Sequence, residues 1–263
     1  MDRIQVTENA KKYVGDSAKK EEGGLWETIK VIIQALLIAV VVRTVLFQPF
    51  NIPSGSLIPT LLIGDYLFVS KYTYGYSKHS MPFSPPLFSG RIFGSEPKRG
   101  DIAVFKLPKD NSTDYIKRVI GLPGDRIQVI GGVLHINGTP VQRERVQDYT
   151  TTDLYGRPVA VPQYRETLPN GVSYYVIERD NNRGYWDNTD VYTVQPDHYF
   201  MMGDNRDNST DSRDEASVGQ VPYENLVGRA EIIFFSIDES ASLWRPWEWP
   251  QSIRWGRLFE GIR

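Results

Sequence analysis

The sequence predicts a mostly β protein: one N-terminal transmembrane helix, then a β-rich extracytoplasmic domain carrying a smaller inserted β subdomain. Three observations predict it. Residues 29–47, IKVIIQALLIAVVVRTVLF, form an apolar run with no Gly or Pro. Downstream, short β-branched and aromatic runs alternate with Gly, Pro, Asn and Asp turn signals as far as ENLVGRAEIIFFSI at 224–237. No internal repeat and no helix-rich half breaks that pattern.

Composition narrows the function. The 263 residues suffice for one large domain or two modest ones. A net charge of −2 without a concentrated basic face argues against a nucleic-acid partner. The absence of cysteine removes thiol nucleophiles, disulfides and cysteine-bound zinc. His79, His135 and His198 stand in no metal-ligand spacing such as H-E-x-x-H. A hydrolase of this composition must therefore work without a histidine base, and neither metal nor cofactor is implied.

The elements follow in order. Residues 1–25 are polar and charge-mixed, a cytoplasmic tail with little to bury. Residues 26–48 read as the anchor, since about 20 apolar residues cross the hydrocarbon layer. Lys30 and Arg43 lie near its ends, where long side chains reach the interface, and Trp26 marks the entry edge. Residues 1–30 carry six Lys and Arg, and 44–70 carry none. The positive-inside rule then places the N-terminus in the cytoplasm and residues 49–263 outside. The run is long for a cleaved signal, and Gln48-Pro49-Phe50 supplies no small-x-small site, so the anchor reads as uncleaved.

Within 49–263, LLIGDYLFVSKYTYG (61–75) contains a strand. The loop MPFSPPLFSGRIF (81–93), broken by three prolines, either dips into the membrane interface or packs on the domain. Residues 100–140 read as a β meander, with a turn at Leu122–Asp125 and a hairpin at Asn137-Gly138. Residues 141–197, rich in Tyr, Asp, Asn and Arg, form the inserted subdomain. A buried strand then leads into a polar loop at 203–213. The tail, WRPWEWPQSIRWGRLFEGIR (244–263), holds four of the six tryptophans among arginines, suiting a membrane interface or an edge clasped to the domain.

Three stretches carry chemistry. In NIPSGSLIPT (51–60), Ser54 and Ser56 stand on a turn fenced by prolines, where a hydroxyl can be held at a set angle. In DYIKRVIG (114–121), strand alternation puts Lys117 on one face with Tyr115 and Val119. If that face packs, desolvation lowers the lysine pKa and frees an amine to act as general base for a serine. GDNRDNSTDSR (203–213) lacks the D-x-[DN]-x-[DN]-G calcium spacing, and its arginines would repel a cation. Its Asp, Asn, Arg and Ser instead suit a self-satisfied network that holds one hydroxyl in place.

Together with GDIAVF (100–105) and LVGRAEIIFFS (226–236), these stretches resemble the type I signal peptidases, the membrane-anchored Ser/Lys leader peptidases of bacteria. The blocks occur in that family's order and cover most of the ectodomain apart from the insert. The resemblance implies Ser56 as nucleophile and Lys117 as its base. It implies Ser54, with the Ser56 N–H, as the oxyanion hole, and Ser209 as the residue orienting the lysine. Asp211 and Arg213 match the family's structural ion pair. A Ser-x-Ser turn can indeed aim a hydroxyl and a backbone donor at one oxyanion. Implied substrates are signal-peptide-bearing preproteins with small residues at −1 and −3, cleaved at the bacterial cytoplasmic (inner) membrane with the peptidase domain in the periplasm and the lipid bilayer as a second partner. Leu57 departs from the family's usual methionine, and Gly219 comes later than in shorter members. Two readings stay open beside this one: a self-cleaving Ser/Lys relative, and a non-enzymatic anchored envelope protein.

Overall fold

The computed structural model describes residues 3–81, 84–152, 157–179, 184–238, 247 and 249–262. Helix α1 (Arg3–Val45) takes in both the polar tail and the apolar run. Over Gly24–Val45 it is long and apolar enough to cross a membrane, and its Leu, Ile and Val side chains are exposed all round. A helix with no polar face to offer water fits a membrane-anchored protein.

Residues 44–263 form a compact unit of antiparallel strands. β1 (Phe47–Asn51) and β2 (Asp65–Ser70) pair across the loop that carries the two serines, and β3 (Ile102–Lys106) pairs with β4 (Asp114–Gly121). β5 (Arg126–Ile130), β6 (Val133–Ile136) and β7 (Thr139–Pro140) make a meander. Asn137 and Gly138, at φ 55° and 80°, provide the left-handed pair that a tight hairpin needs. β8 (Gln142–Arg145), β9 (Tyr149–Thr152), β10 (Pro158–Val161), β11 (Gln163–Thr167), β12 (Ser173–Ile177) and β13 (Tyr192–Thr193) follow. Of these, β12-β11-β8 form one small sheet, β9 and β10 a ribbon, and β13 joins β5. β14 (His198–Met202), β15 (Val221–Pro222), β16 (Leu226–Ser236) and β17 (Glu260–Gly261) return to the main sheet. Its order is β1-β2-β16-β3-β4-β14-β15, with β17 on the far half of β16.

One expectation changes. β4 and β5 do not pair across Leu122–Asp125; β4 lies between β3 and β14, and β5 between β6 and β13. The turn is a corner between two sheets. Gly121 makes it possible, because a Cβ there would come within 2.8 Å of Phe200 Cβ in β14 and 2.9 Å of Ile127 in β5. Strand periodicity specifies which face is buried but not which strand is the neighbour.

Three apolar clusters fill the domain. The one beneath the serine turn gathers Ile52, Leu57 and Leu61 with Leu67, Val104 and Val227. A second joins β5 and β6 to Tyr174 and Val176 of β12 and Phe200 of β14. A third, with Phe105, Val119 and Met201, backs the middle of the main sheet.

The 81–93 loop is pinned at Ile92, which exchanges backbone bonds with Tyr76, and at Arg91. Arg91 donates to the carbonyls of Gly75 (2.8 Å), Tyr223 (2.8 Å) and Leu226 (2.5 Å) and lies over the Tyr223 ring. Leu87, Ile92 and Phe93 remain exposed around that anchor, while Pro82 and Phe83 lie outside the described residues. The tail is clasped to the domain through Arg254 and Arg257, and Trp247, Trp255 and Phe259 are exposed. Trp244 falls outside the described residues.

Candidate active site

The serine turn leaves β1 through buried Ile52, runs extended at Ser54 (φ −136°, ψ 153°) and closes a single 3-10 turn over Gly55–Leu57. Leu57, 1% exposed, plugs the apolar cluster below and fixes the height of Ser56. Ile52 serves the same cluster and does not line the cavity above it.

Lys117 sits mid-strand in β4, its side chain on the face shared with Tyr115 and Val119. Its Nζ donates to Ser56 Oγ at 2.6 Å, across 61 residues of chain. The ring of Tyr115 lies 5.4 Å from the same nitrogen. Lys117 is 4% exposed. That burial lowers its pKa from 10.5 to about 8, against the upward pull of Asp211 and Asp204. An amine so placed is neutral in a sizeable fraction of molecules near neutral pH.

The 203–213 loop grips the serine turn from the side. Asn205 donates its backbone N–H to the Ser56 carbonyl (3.0 Å) and its side-chain amide to the Gly55 carbonyl (2.9 Å). Asp204 accepts from Thr60 Oγ1 (2.6 Å) and from Arg118 Nε (2.9 Å) and Nη2 (2.8 Å). Gly203 is required where these strands of backbone meet. A Cβ there would stand 2.5 Å from the Ser56 carbonyl oxygen and closer still to Ser209 Oγ.

Asp211 and Arg213 form a fully buried two-point pair, at 2.9 Å (Nε to Oδ1) and 2.8 Å (Nη2 to Oδ2). Burial alone would raise the Asp211 pKa, yet the guanidinium and the Gly203 N–H together hold it below the usual carboxylate range. Ser209 is buried beside Gly203; its hydroxyl makes no hydrogen bond to Lys117 and lies by the Asp211 carboxylate, whose lowered pKa it supports. The structure thus joins Ser56 with Lys117 and Asp211 with Arg213, and sets the Ser209 hydroxyl beside Asp211 without a bond to the Lys117 amine.

A cavity of about 390 Å³ opens over the dyad, lined by Ser54, Ser56, Tyr115, Lys117, Asn208 and Thr210 among others. Ser54 is exposed at its rim, its side chain free of any capping bond. A larger cavity of about 590 Å³, between β12 and the tail, shares none of these residues.

Residue-by-residue sequence reasoning missed Thr60, Arg118, Asp204 and Asn205. Arg118 did leave a signal: a second charge directly after Lys117 in an apolar strand must occupy the opposite face. The 141–197 stretch also reaches the site unannounced. Glu166 of β11 accepts two bonds from Arg206 (2.8 and 2.5 Å), and Arg118 stacks 4.1 Å from the Tyr174 ring of β12.

A family model described as signal peptidase, peptidase S26, matches residues 25–235. The chain is 41% identical to a signal peptidase I of Rickettsia akari, over 97% of each chain. With a signal peptidase I of Rickettsia typhi it shares 40% identity over 86% of this chain and 90% of the other. A solved signal peptidase I from Enterococcus faecalis is 25% identical, covering 51% of this chain and 97% of its own, with a TM-score of 0.29.

Proposed function

The chain belongs to the signal peptidase family, peptidase S26, and we propose that in this serine endopeptidase Ser56 is the nucleophile and Lys117 its general base. One observation carries the assignment: a buried amine with its pKa lowered to about 8 lies 2.6 Å from a serine hydroxyl at the floor of an open cavity. An ordinary surface lysine would be protonated and useless as a base at that pH.

Each step then has an owner. Ser56 Oγ attacks the scissile carbonyl carbon while its proton passes to the neutral Lys117 amine. The oxyanion so formed accepts hydrogen bonds from the Ser54 hydroxyl and the Ser56 N–H. The Lys117 ammonium returns the proton to the leaving amine as the C–N bond breaks, leaving an ester on Ser56. Lys117 next takes a proton from water, whose oxygen attacks the ester; Ser56 departs and recovers that proton. We assign the orientation of the amine to Ser209, buried beside Gly203 in the loop that holds Ser56, and the buttressing of the loop to Asp211 and Arg213.

The substrates are signal-peptide-bearing proteins, and the preference for small residues at −1 and −3 belongs to this proposal. So does the topology. Six Lys and Arg in residues 1–30 against none in 44–70 support a cytoplasmic N-terminus, a bacterial inner-membrane anchor at 26–48 and a periplasmic peptidase domain at 49–263. Within that domain, 141–197 is the inserted part.

Labelling with a serine-acylating penem tests the assignment. Mass spectrometry should find one adduct, on Ser56, absent from Ser56→Ala and strongly slowed in Lys117→Ala. An unlabelled wild-type Ser56, or full-rate labelling of Lys117→Ala, rejects the dyad.

A further inference from the structure

The tail beyond residue 235 lies outside the family match, yet it is wired to the back of the serine turn. Arg254 N donates to the Ser236 carbonyl (3.0 Å), Phe259 N to the Ile233 carbonyl (2.7 Å) and Ile262 N to the Glu231 carbonyl (2.9 Å). These bonds hold the tail along β16 on both sides of Arg257. The Arg257 guanidinium then turns inward. It donates to Asp65 through Nε (3.1 Å) and Nη2 (2.6 Å), and Nη2 also reaches the Thr60 carbonyl (3.0 Å).

Thr60 is the residue through which this grip reaches the chemistry. Four positions after Ser56, it belongs to a turn closed by Leu61 N onto the Leu57 carbonyl (3.0 Å). Its hydroxyl is held by Asp204 (2.6 Å), and the next residue, Asn205, holds the Ser56 carbonyl. Side chain and carbonyl of Thr60 are therefore fixed from two directions, by the 203–213 loop and by the tail. Asp65 is fully buried and also accepts from Leu62 N (2.8 Å) and Ser236 Oγ (2.6 Å), so the far end of the same loop is equally anchored.

We propose that Arg257 is a positioning residue for Ser56, setting the nucleophile turn through its bonds to the Thr60 carbonyl and the buried Asp65 carboxylate. The inference rests on Ser56 being the nucleophile. Arg254 provides the internal contrast. It grips the same loop at the Ile63 carbonyl (2.9 Å) and lies 3.7 Å from Asp65, but it does not touch Thr60. Both arginines stabilise the loop, and only Arg257 acts on the residue that is tied to the site. The fork geometry matters, since Nη2 serves both acceptors while Nε fixes the second Asp65 oxygen, a contact that a lysine amine at the Nη2 position would lose.

The test uses the full-length protein in detergent micelles with a preprotein substrate. Turnover is expressed per active site titrated with the penem, which removes any loss due to unfolded enzyme. Arg257→Gln should lower kcat per titrated site by roughly 10- to 100-fold, the scale of a small misplacement of a reacting group, with KM nearly unchanged. Arg257→Lys should fall between Arg257→Gln and wild type. Arg254→Gln should lose thermal stability but keep kcat per titrated site. Wild-type kcat per titrated site in Arg257→Gln, or an equal loss in Arg254→Gln, overturns the proposal. Should Arg257→Gln not fold, Arg257→Lys carries the test, and unchanged turnover there overturns it. Ser56→Ala in the same assay separates the two claims: cleavage by Ser56→Ala rejects the dyad, whereas inert Ser56→Ala beside normal Arg257 variants rejects only the clasp.

Discussion

Lys117 and Arg118 are consecutive in β4 and serve opposite faces of it. The Lys117 amine donates to Ser56 Oγ at 2.6 Å, and the Arg118 guanidinium donates to Asp204 at 2.9 and 2.8 Å. Strand alternation thus splits two neighbouring cations between two tasks. One is desolvated and left to lose its proton. The other is paired with a carboxylate, stays charged, and ties the strand to the loop that holds Ser56 in place. A lysine in the Arg118 position could not make the two-point contact to Asp204 while also reaching the Gly100 carbonyl, as Arg118 does at 2.8 Å.

Activity should depend on pH through Lys117. The proposed base works only when neutral, and the Lys117 pKa is lowered to about 8. The rate constant kcat/KM should therefore fall about tenfold per unit on the acid side and level off above about pH 8. A profile flat from pH 6 to 9, measured on a short signal-sequence peptide, would remove Lys117 from the role of base.

The same shift predicts a stability effect. Between about 8 and the ordinary 10.5 the unfolded chain binds a proton that the folded chain does not, so stability rises with pH across that window. Below it the folded protein carries a buried ammonium at a cost. Lys117→Met should be inactive yet more stable at pH 7, by on the order of 1–3 kcal/mol, with a flatter stability profile from pH 8 to 10.5. Thermal unfolding of both proteins across that range checks it, and a Lys117→Met variant melting lower at pH 7 contradicts it.

Ser54→Ala removes one of the two proposed oxyanion donors and leaves the fold alone, because the side chain is exposed and caps nothing. Expected is a fall in kcat of about 10²- to 10³-fold with little change in KM. Steady-state kinetics decide; a loss confined to KM would place Ser54 in ground-state binding.

Gly203→Ala places a methyl 2.5 Å from the Ser56 carbonyl oxygen, where the backbone cannot yield cheaply. We expect a stability loss of about 1–3 kcal/mol and a drop in penem acylation rate larger than that loss accounts for. Normal acylation by folded Gly203→Ala would show that the close Gly203–Ser56 approach does not set the nucleophile.

Leu57→Met tests the departure from the usual family residue. Leu57 is buried in the cluster under the turn, and methionine has similar volume. The exchange should cost under about 1.5 kcal/mol and leave kcat per titrated site unchanged. A large kcat change would mean that the residue after Ser56 tunes the nucleophile directly.

Much of this molecule is legible in its sequence. The apolar run at 29–47 has a composition that only a membrane or a deep core can absorb, and strand alternation put Lys117 on the face of Tyr115 and Val119, leaving open whether that face packs. The Asp/Asn/Arg/Ser loop announced a self-satisfied network. Its internal ion pair, Asp211 with Arg213, is local in the chain and was implied by the family resemblance. Which backbone atoms that network would hold could not be read, because Asn205 and Ser56 are 149 residues apart and nothing local joins them.

By itself, then, the sequence determined the parts: an anchor, a set of antiparallel strands, a serine on a constrained turn and a lysine with an apolar face around it. These follow from periodicity, turn chemistry and composition, all properties of neighbouring residues. Only the tertiary structure decided that β14 and not β5 lies beside β4, that Arg118 is paired with Asp204, and that Arg257 reaches Thr60 from the far end of the chain. The lowered pKa of Lys117 belongs to the same class. It is a property of desolvation, and a side chain is desolvated only by what folds over it from elsewhere in the chain.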